Sequence, residues 1–86
     1  MTRIVHCKKE PYDVYIGRPS KWGNPFRISK TMSRERAIMA YRIWLLDNPL
    51  LVADIRRELK DKVLGCYCYP LPCHGNILAE MADAQN

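Results

Sequence analysis

Apolar positions along the chain recur with two different periods. From residue 33 to residue 59 the spacing is helical. Ala37, Ile38, Tyr41, Trp44 and Leu45 fall on one face of a helix. Ser33 is a candidate N-cap, with Glu35 in the first turn, where an acid suits the helix dipole. This helix is expected to end near Asp47. Asn48-Pro49 then restarts the chain as an N-cap followed by proline at the first helical position. Leu51, Val52, Ile55 and Leu59 form the stripe of the second helix, with Arg56, Arg57 and Lys60 outside it. A last helix over residues 76–84 would bury Ile77, Leu78, Met81 and Ala82. Three short stretches, residues 3–7, 13–17 and 63–67, are rich in β-formers and read as strands.

The order is β, β, long loop, α, α, β, loop, α. It predicts a single α/β domain, with α+β as the other class it permits: a small three-stranded sheet covered by about three helices. The pattern leaves open whether the strands run parallel or antiparallel. Eighty-six residues bound the answer to one domain with a small core. No apolar stretch approaches the ~20 residues that cross a bilayer. The opening Met-Thr-Arg-Ile-Val-His lacks the apolar core of a signal peptide. The expected compartment is therefore the cytoplasm, without membrane contact. The net charge of +5 suits a polyanionic partner or a phosphate-bearing small molecule, and equally a solvated basic surface.

The densest chemistry lies in Cys66-Tyr-Cys68-Tyr-Pro-Leu-Pro-Cys73-His74-Gly75. In a reducing cytosol clustered cysteines lean toward metal or catalysis rather than disulfides. Cys66, Cys68, Cys73 and His74 would supply a Cys₃His set for zinc, and thiolates also hold iron–sulfur clusters. Cys66 and Cys68, two apart on a strand, would face one ion. Cys7 or His6 offers a substitute ligand. A catalytic reading makes Cys73 a nucleophile at a helix N-terminus, with His74 or His6 as base. The plain alternative is that Cys66 and Cys68 are small buried residues and His74 caps a helix. Tyr67 and Tyr69, alternating with the cysteines, would face the other way.

The second candidate segment is the loop of residues 17–25, held stiff by Pro19 and Pro25. Arg18 can bind phosphate or carboxylate bidentately, and Lys21 adds charge. Trp22 can stack a base or sugar, and Asn24 can read a hydrogen-bonding edge. The loop is neither a P-loop nor a dinucleotide fingerprint. Its structural alternative has Trp22, Pro25 and Phe26 closing one end of the core and Arg18 pairing with Asp13. Trp44 and Tyr41, at helical spacing, read as core.

Val14-Tyr-Ile-Gly-Arg18-Pro-Ser-Lys-Trp22-Gly-Asn-Pro-Phe26 and Leu64-Gly-Cys66-Tyr-Cys68-Tyr-Pro-Leu-Pro-Cys73-His74-Gly-Asn-Ile-Leu78 together resemble a group of small phage and bacterial domains, the domain of unknown function 4326. The similarity spans nearly the whole chain. The matching positions are Gly17, Arg18, Trp22, Gly23, Asn24, Pro25, Cys66, Cys68, Cys73 and His74; Cys7 lies outside the pattern. The resemblance implies a phage or prophage origin and one composite site, and no activity. The leading expectation is a binding domain with a structural zinc, taking a nucleotide or nucleic acid through Arg18, Lys21, Trp22 and Asn24. The alternatives are an enzyme on nucleotides or modified bases, using Cys73 and His74 or zinc-activated water, and a phage factor that binds a host protein. Oligomeric state is not legible at this stage.

Overall fold

The structure, a computed structural model, describes residues 1–84. Three strands, β1 (Arg3–His6), β2 (Val14–Tyr15) and β3 (Val63–Cys66), form one sheet in the order β1-β3-β2. Both pairings are parallel. Ile4 and Val14 flank Leu64, while Val5 and Tyr15 flank Gly65. Parallel neighbours cannot be joined by a hairpin and need a long crossover. The β2–β3 connection supplies it, carrying α1 (Arg34–Leu46) and α2 (Pro49–Glu58), and α3 (His74–Asp83) follows β3. The α/β expectation holds, and the strand sense is parallel.

Local chemistry fixes the element ends. Ser33 caps α1 as expected, its Oγ accepting the Arg36 N–H at 3.2 Å. Asn48 occupies the cap position before Pro49 but does not cap α2 with its side chain. Instead Nδ2 reaches back and donates to the Trp44 carbonyl at 2.6 Å, adding to the Asp47 N–H that this carbonyl accepts at 3.2 Å at the end of α1. Pro49, with no N–H, asks little of the residue before it. α3 starts two residues earlier than the periodicity suggests because Cys73 is its cap. Cys73 Sγ accepts the Gly75 N–H at 3.3 Å, and Asn76 Oδ1 accepts the Cys73 N–H at 2.8 Å. β2 is only two residues long, since the chain turns at Gly17, whose carbonyl accepts from Ser20 N–H at 2.9 Å and Ser20 Oγ at 2.6 Å.

One face of the sheet is covered by all three helices. Leu64, Cys66 and Ile16 pack there with Tyr41, Leu45, Ile55, Leu59 and Leu78, all fully or nearly fully buried. Tyr41 reads correctly as core; its hydroxyl donates to the Trp22 carbonyl at 2.6 Å, which satisfies a buried polar group. Trp44 stacks on it, partly buried. On the opposite face the Tyr12 ring lies over Gly65, so close that a Cβ there would sit 2.6 Å from Tyr12 Cγ. No helix among the described residues is long and apolar enough to cross a membrane.

Candidate functional site at the carboxyl edge of the sheet

In open parallel sheets ligands bind beyond the carboxyl ends of the strands, where successive connections diverge. A cavity of about 530 Å³ lies at that place here. Tyr15, Gly17 and Arg18 border it from the end of β2, and Cys66, Tyr67 and Cys68 from the end of β3. The first turns of α1 contribute Arg34, Ala37 and Ile38, and the start of α3 contributes Cys73 and His74. Asn24 and residues 26–28 close the rim.

Among the described residues three arginines, Arg18, Arg27 and Arg34, line this space, and no aspartate or glutamate does. Among the described residues none of the three forms an ion pair with a carboxylate. Cations elsewhere behave differently: Lys21 bonds Glu58 at 2.9 Å, Arg42 bonds Glu80 at 2.7 Å, and Arg57 pairs with Asp54. Two of the cavity arginines are instead steered by backbone oxygens. Arg18 Nη1 donates to the Asn24 carbonyl at 3.1 Å, and Arg34 Nη1 to the Pro72 carbonyl at 3.0 Å. Each guanidinium carries five N–H donors, so most remain for a ligand.

The cysteine cluster forms part of the wall. Cys66 and Cys73 are buried, with their sulfurs 3.5 Å apart. Their shared hydrogen bond holds the Cys66 thiol well below the usual range, assisted by the N–H groups of Tyr69 and Cys68 against the opposing effect of burial. The same bond, then burial, pushes Cys73 upward. The pair gives up one proton readily and the second with difficulty. His74 is turned elsewhere. Its Nε2 bonds the Ile16 carbonyl at 2.7 Å, and its ring meets Tyr41 edge-on. Burial lowers its pKa, and Arg18 adds to that, against the Ile16 bond. A neutral ring with its proton on Nε2 follows, which is the tautomer a carbonyl partner selects.

Two sulfurs on one tetrahedral zinc lie about 3.8 Å apart, so the Cys66–Cys73 separation is near what an ion would impose. Among the described residues, however, no three histidine, cysteine or acidic side chains come together to hold a metal ion. Cys68 lines the same cavity without joining the pair, because β3 ends at Cys66 and the alternation that would have aligned the two stops there. Tyr67 packs edge-on against Tyr15, which shares the Gly65 face of the sheet with Tyr12, so it lies on the side away from Cys66 as strand alternation predicts. It borders the cavity, 56% exposed. His6, an alternative base, is not among the lining residues, and its Nδ1 accepts the Lys8 N–H at 3.1 Å.

The residues of the 17–25 loop divide. Arg18 is at the cavity. Trp22 is 4% exposed and packs in the core, so it offers no face for stacking a base. Lys21 lies over the Trp22 ring, 4.7 Å from its centre, and is held by Glu58 and Asp54 on α2. Asn24 borders the cavity, but its side chain is occupied: Nδ2 donates to the Ala37 carbonyl at 3.2 Å and Oδ1 accepts the Phe26 N–H at 2.8 Å. It shapes the rim that aims Arg18. Asp13 accepts the Val63 N–H and does not pair with Arg18. Arg27, Arg34 and Tyr15 were not singled out by the sequence as site residues, and Phe26 was read only as a residue closing one end of the core. Arg34 carried a signal: a cation in the first turn of a helix opposes the dipole, which marks a residue placed for another reason. Arg27 carried none.

Comparison with known proteins agrees with these motifs. A family model described as "Domain of unknown function (DUF4326)" matches residues 2–84. The chain is 33% identical to the "Uncharacterized 12.4 kDa protein in nrdA-td intergenic region" of Enterobacteria phage T4, over 96% of this chain and 79% of that protein. No solved structure matches. The chain therefore belongs to the DUF4326 family, a domain family of unknown function with a phage-encoded relative.

Proposed function

We propose that the chain is a nucleotide-binding domain that holds a nucleoside phosphate at the carboxyl edge of its sheet. The observation that carries this reading is the set of three arginines around one cavity that, among the described residues, no aspartate or glutamate lines. A phosphate between Arg18, Arg27 and Arg34 would receive charge-assisted, bidentate hydrogen bonds. The volume of about 530 Å³ falls in the range of small-molecule sites. Tyr15, Phe26 and Tyr67 offer aromatic surface for a base. Trp22, expected to do that work, supports the loop from below. The zinc expected from the sequence is a separate part of the proposal. It would draw on Cys66 and Cys73, with Cys68 turned inward as a third ligand, and metal analysis of untagged protein tests it: near one zinc per chain supports it, and none refutes it.

Titration calorimetry with a nucleoside monophosphate, its unphosphorylated nucleoside and inorganic phosphate tests the binding reading. The monophosphate should bind, and the nucleoside should bind far more weakly. Arg34→Gln and Arg18→Gln should each lower affinity by about 10- to 100-fold, the value of a hydrogen bond to a charged group. Equal binding of nucleoside and nucleotide, or indifference to both substitutions, would overturn the reading.

A further inference from the structure

We propose that Cys66 and Cys73 form an oxidisable pair in the wall of the cavity, closing reversibly to a disulfide when a hydroperoxide enters. The two sulfurs lie 3.5 Å apart, in hydrogen-bond contact. A disulfide needs about 2.05 Å, so the closure amounts to a shift of about 1.5 Å. The pair sits where such a shift is permitted. Cys66 is the last residue of β3 and Cys73 caps α3, and only the loop of residues 67–72 joins them. Both are otherwise sealed off, 1% and 4% exposed, and both line the cavity. A small oxidant has a route through that cavity. Cys7 and Cys68 are half-buried and without a sulfur partner among the described residues.

One sulfur of the pair attacks an oxygen of hydrogen peroxide. The O–O bond breaks, hydroxide leaves with the thiol proton as water, and a sulfenic acid remains. The second thiol attacks that sulfur, the S–O bond breaks, and its proton leaves with the hydroxyl as a second water. The dithiol is oxidised by two electrons, and one peroxide is reduced to two waters. A thiol reductant reverses the step by exchange.

The test is peroxide treatment of the reduced protein, followed by alkylation of remaining thiols and peptide mapping by mass spectrometry. The expected product links Cys66 to Cys73, leaves Cys7 and Cys68 open to alkylation, and is undone by dithiothreitol. Cys68→Ser should form the same link, and Cys73→Ser should not. A link from Cys66 to Cys68, oxidation that stops at sulfinic acid, or thiols that stay reduced would overturn the proposal. A second arm repeats the oxidation with the cavity saturated by a nucleoside monophosphate. Slower disulfide formation supports the pair's position in the ligand wall and rests on the binding reading above. If the disulfide forms at an unchanged rate, the pair still stands, and it is the binding reading that loses support.

Discussion

His74 shows how one buried side chain ties stability to pH. Its ring is neutral in the folded protein because burial disfavours the imidazolium, while in the unfolded chain it titrates near the ordinary value of about 6.5. The unfolded state therefore binds more protons below that value. Stability contributed by the neutral ring is present above about pH 6.5 and is lost as pH falls through it. Thermal melts from pH 7.5 to 5 should show a falling Tm, and the fall should be shallower in His74→Gln, which keeps a donor for the Ile16 carbonyl but does not titrate. An equally steep fall in the variant would place the pH sensitivity elsewhere. At this scale the sequence made Arg18, Cys66, Cys73 and His74 visible, since their types alone announce chemistry. It could not make Trp22 or Lys21 intelligible, because a side chain's direction depends on what packs beneath it. Tyr41 and the acids of α2 decide that, and they lie 19 to 37 residues away.

The elements were legible wherever a single period governed them. α1 ends at Leu46 with Asp47 as its C-cap, as its stripe predicts, and β3 begins at Val63. What periodicity missed was set by caps. The thiol of Cys73 moves the start of α3, and the Asn48 amide serves the helix behind it rather than the one ahead. Asn48→Ala should therefore cost about 1 kcal/mol in a denaturant melt, the ordinary value of one net hydrogen bond, through fraying at the end of α1. Amide exchange should quicken around Trp44 to Asp47 and not in α2. Gly23→Ala addresses the loop. A Cβ at Gly23 would stand 3.0 Å from Arg18 Cα and 3.1 Å from Arg18 N, so the backbone must part and re-aim Arg18. Loss of nucleotide affinity with helix content unchanged in circular dichroism is the expected result; unchanged affinity would show that the rim does not position Arg18.

For the molecule as a whole, a chain of 86 residues has one small core, and the same packing both holds the fold and builds the cavity. Ile55 and Leu59, fully buried on and just beyond α2, illustrate this. Leu59→Ala should cost about 2–5 kcal/mol, a large share of what so small a domain has, and leave it largely unfolded at 37 °C in a thermal melt. The strand sense could not be read from the pattern, yet it places the site: because β2 and β3 run parallel, their carboxyl ends bring Arg18 and Cys66 to one edge. The excess of positive charge then has a location as well as a sign. The proposed nucleotide binding at this edge should weaken as ionic strength rises, since Arg18 and Arg27 are exposed and Arg34 is half-buried.

A phosphorylated ligand seated among Arg18, Arg27 and Arg34, as proposed, would report itself residue by residue. The most direct measurement is a nuclear magnetic resonance titration of the ¹⁵N-labelled protein with a nucleoside monophosphate. Saturable shifts should cluster at Gly17, Arg18, Arg27, Arg34 and the segment from Cys66 to Cys68, with α2 unmoved. Shifts confined to the Lys21 and α2 surface, or no shifts at millimolar ligand, would contradict it.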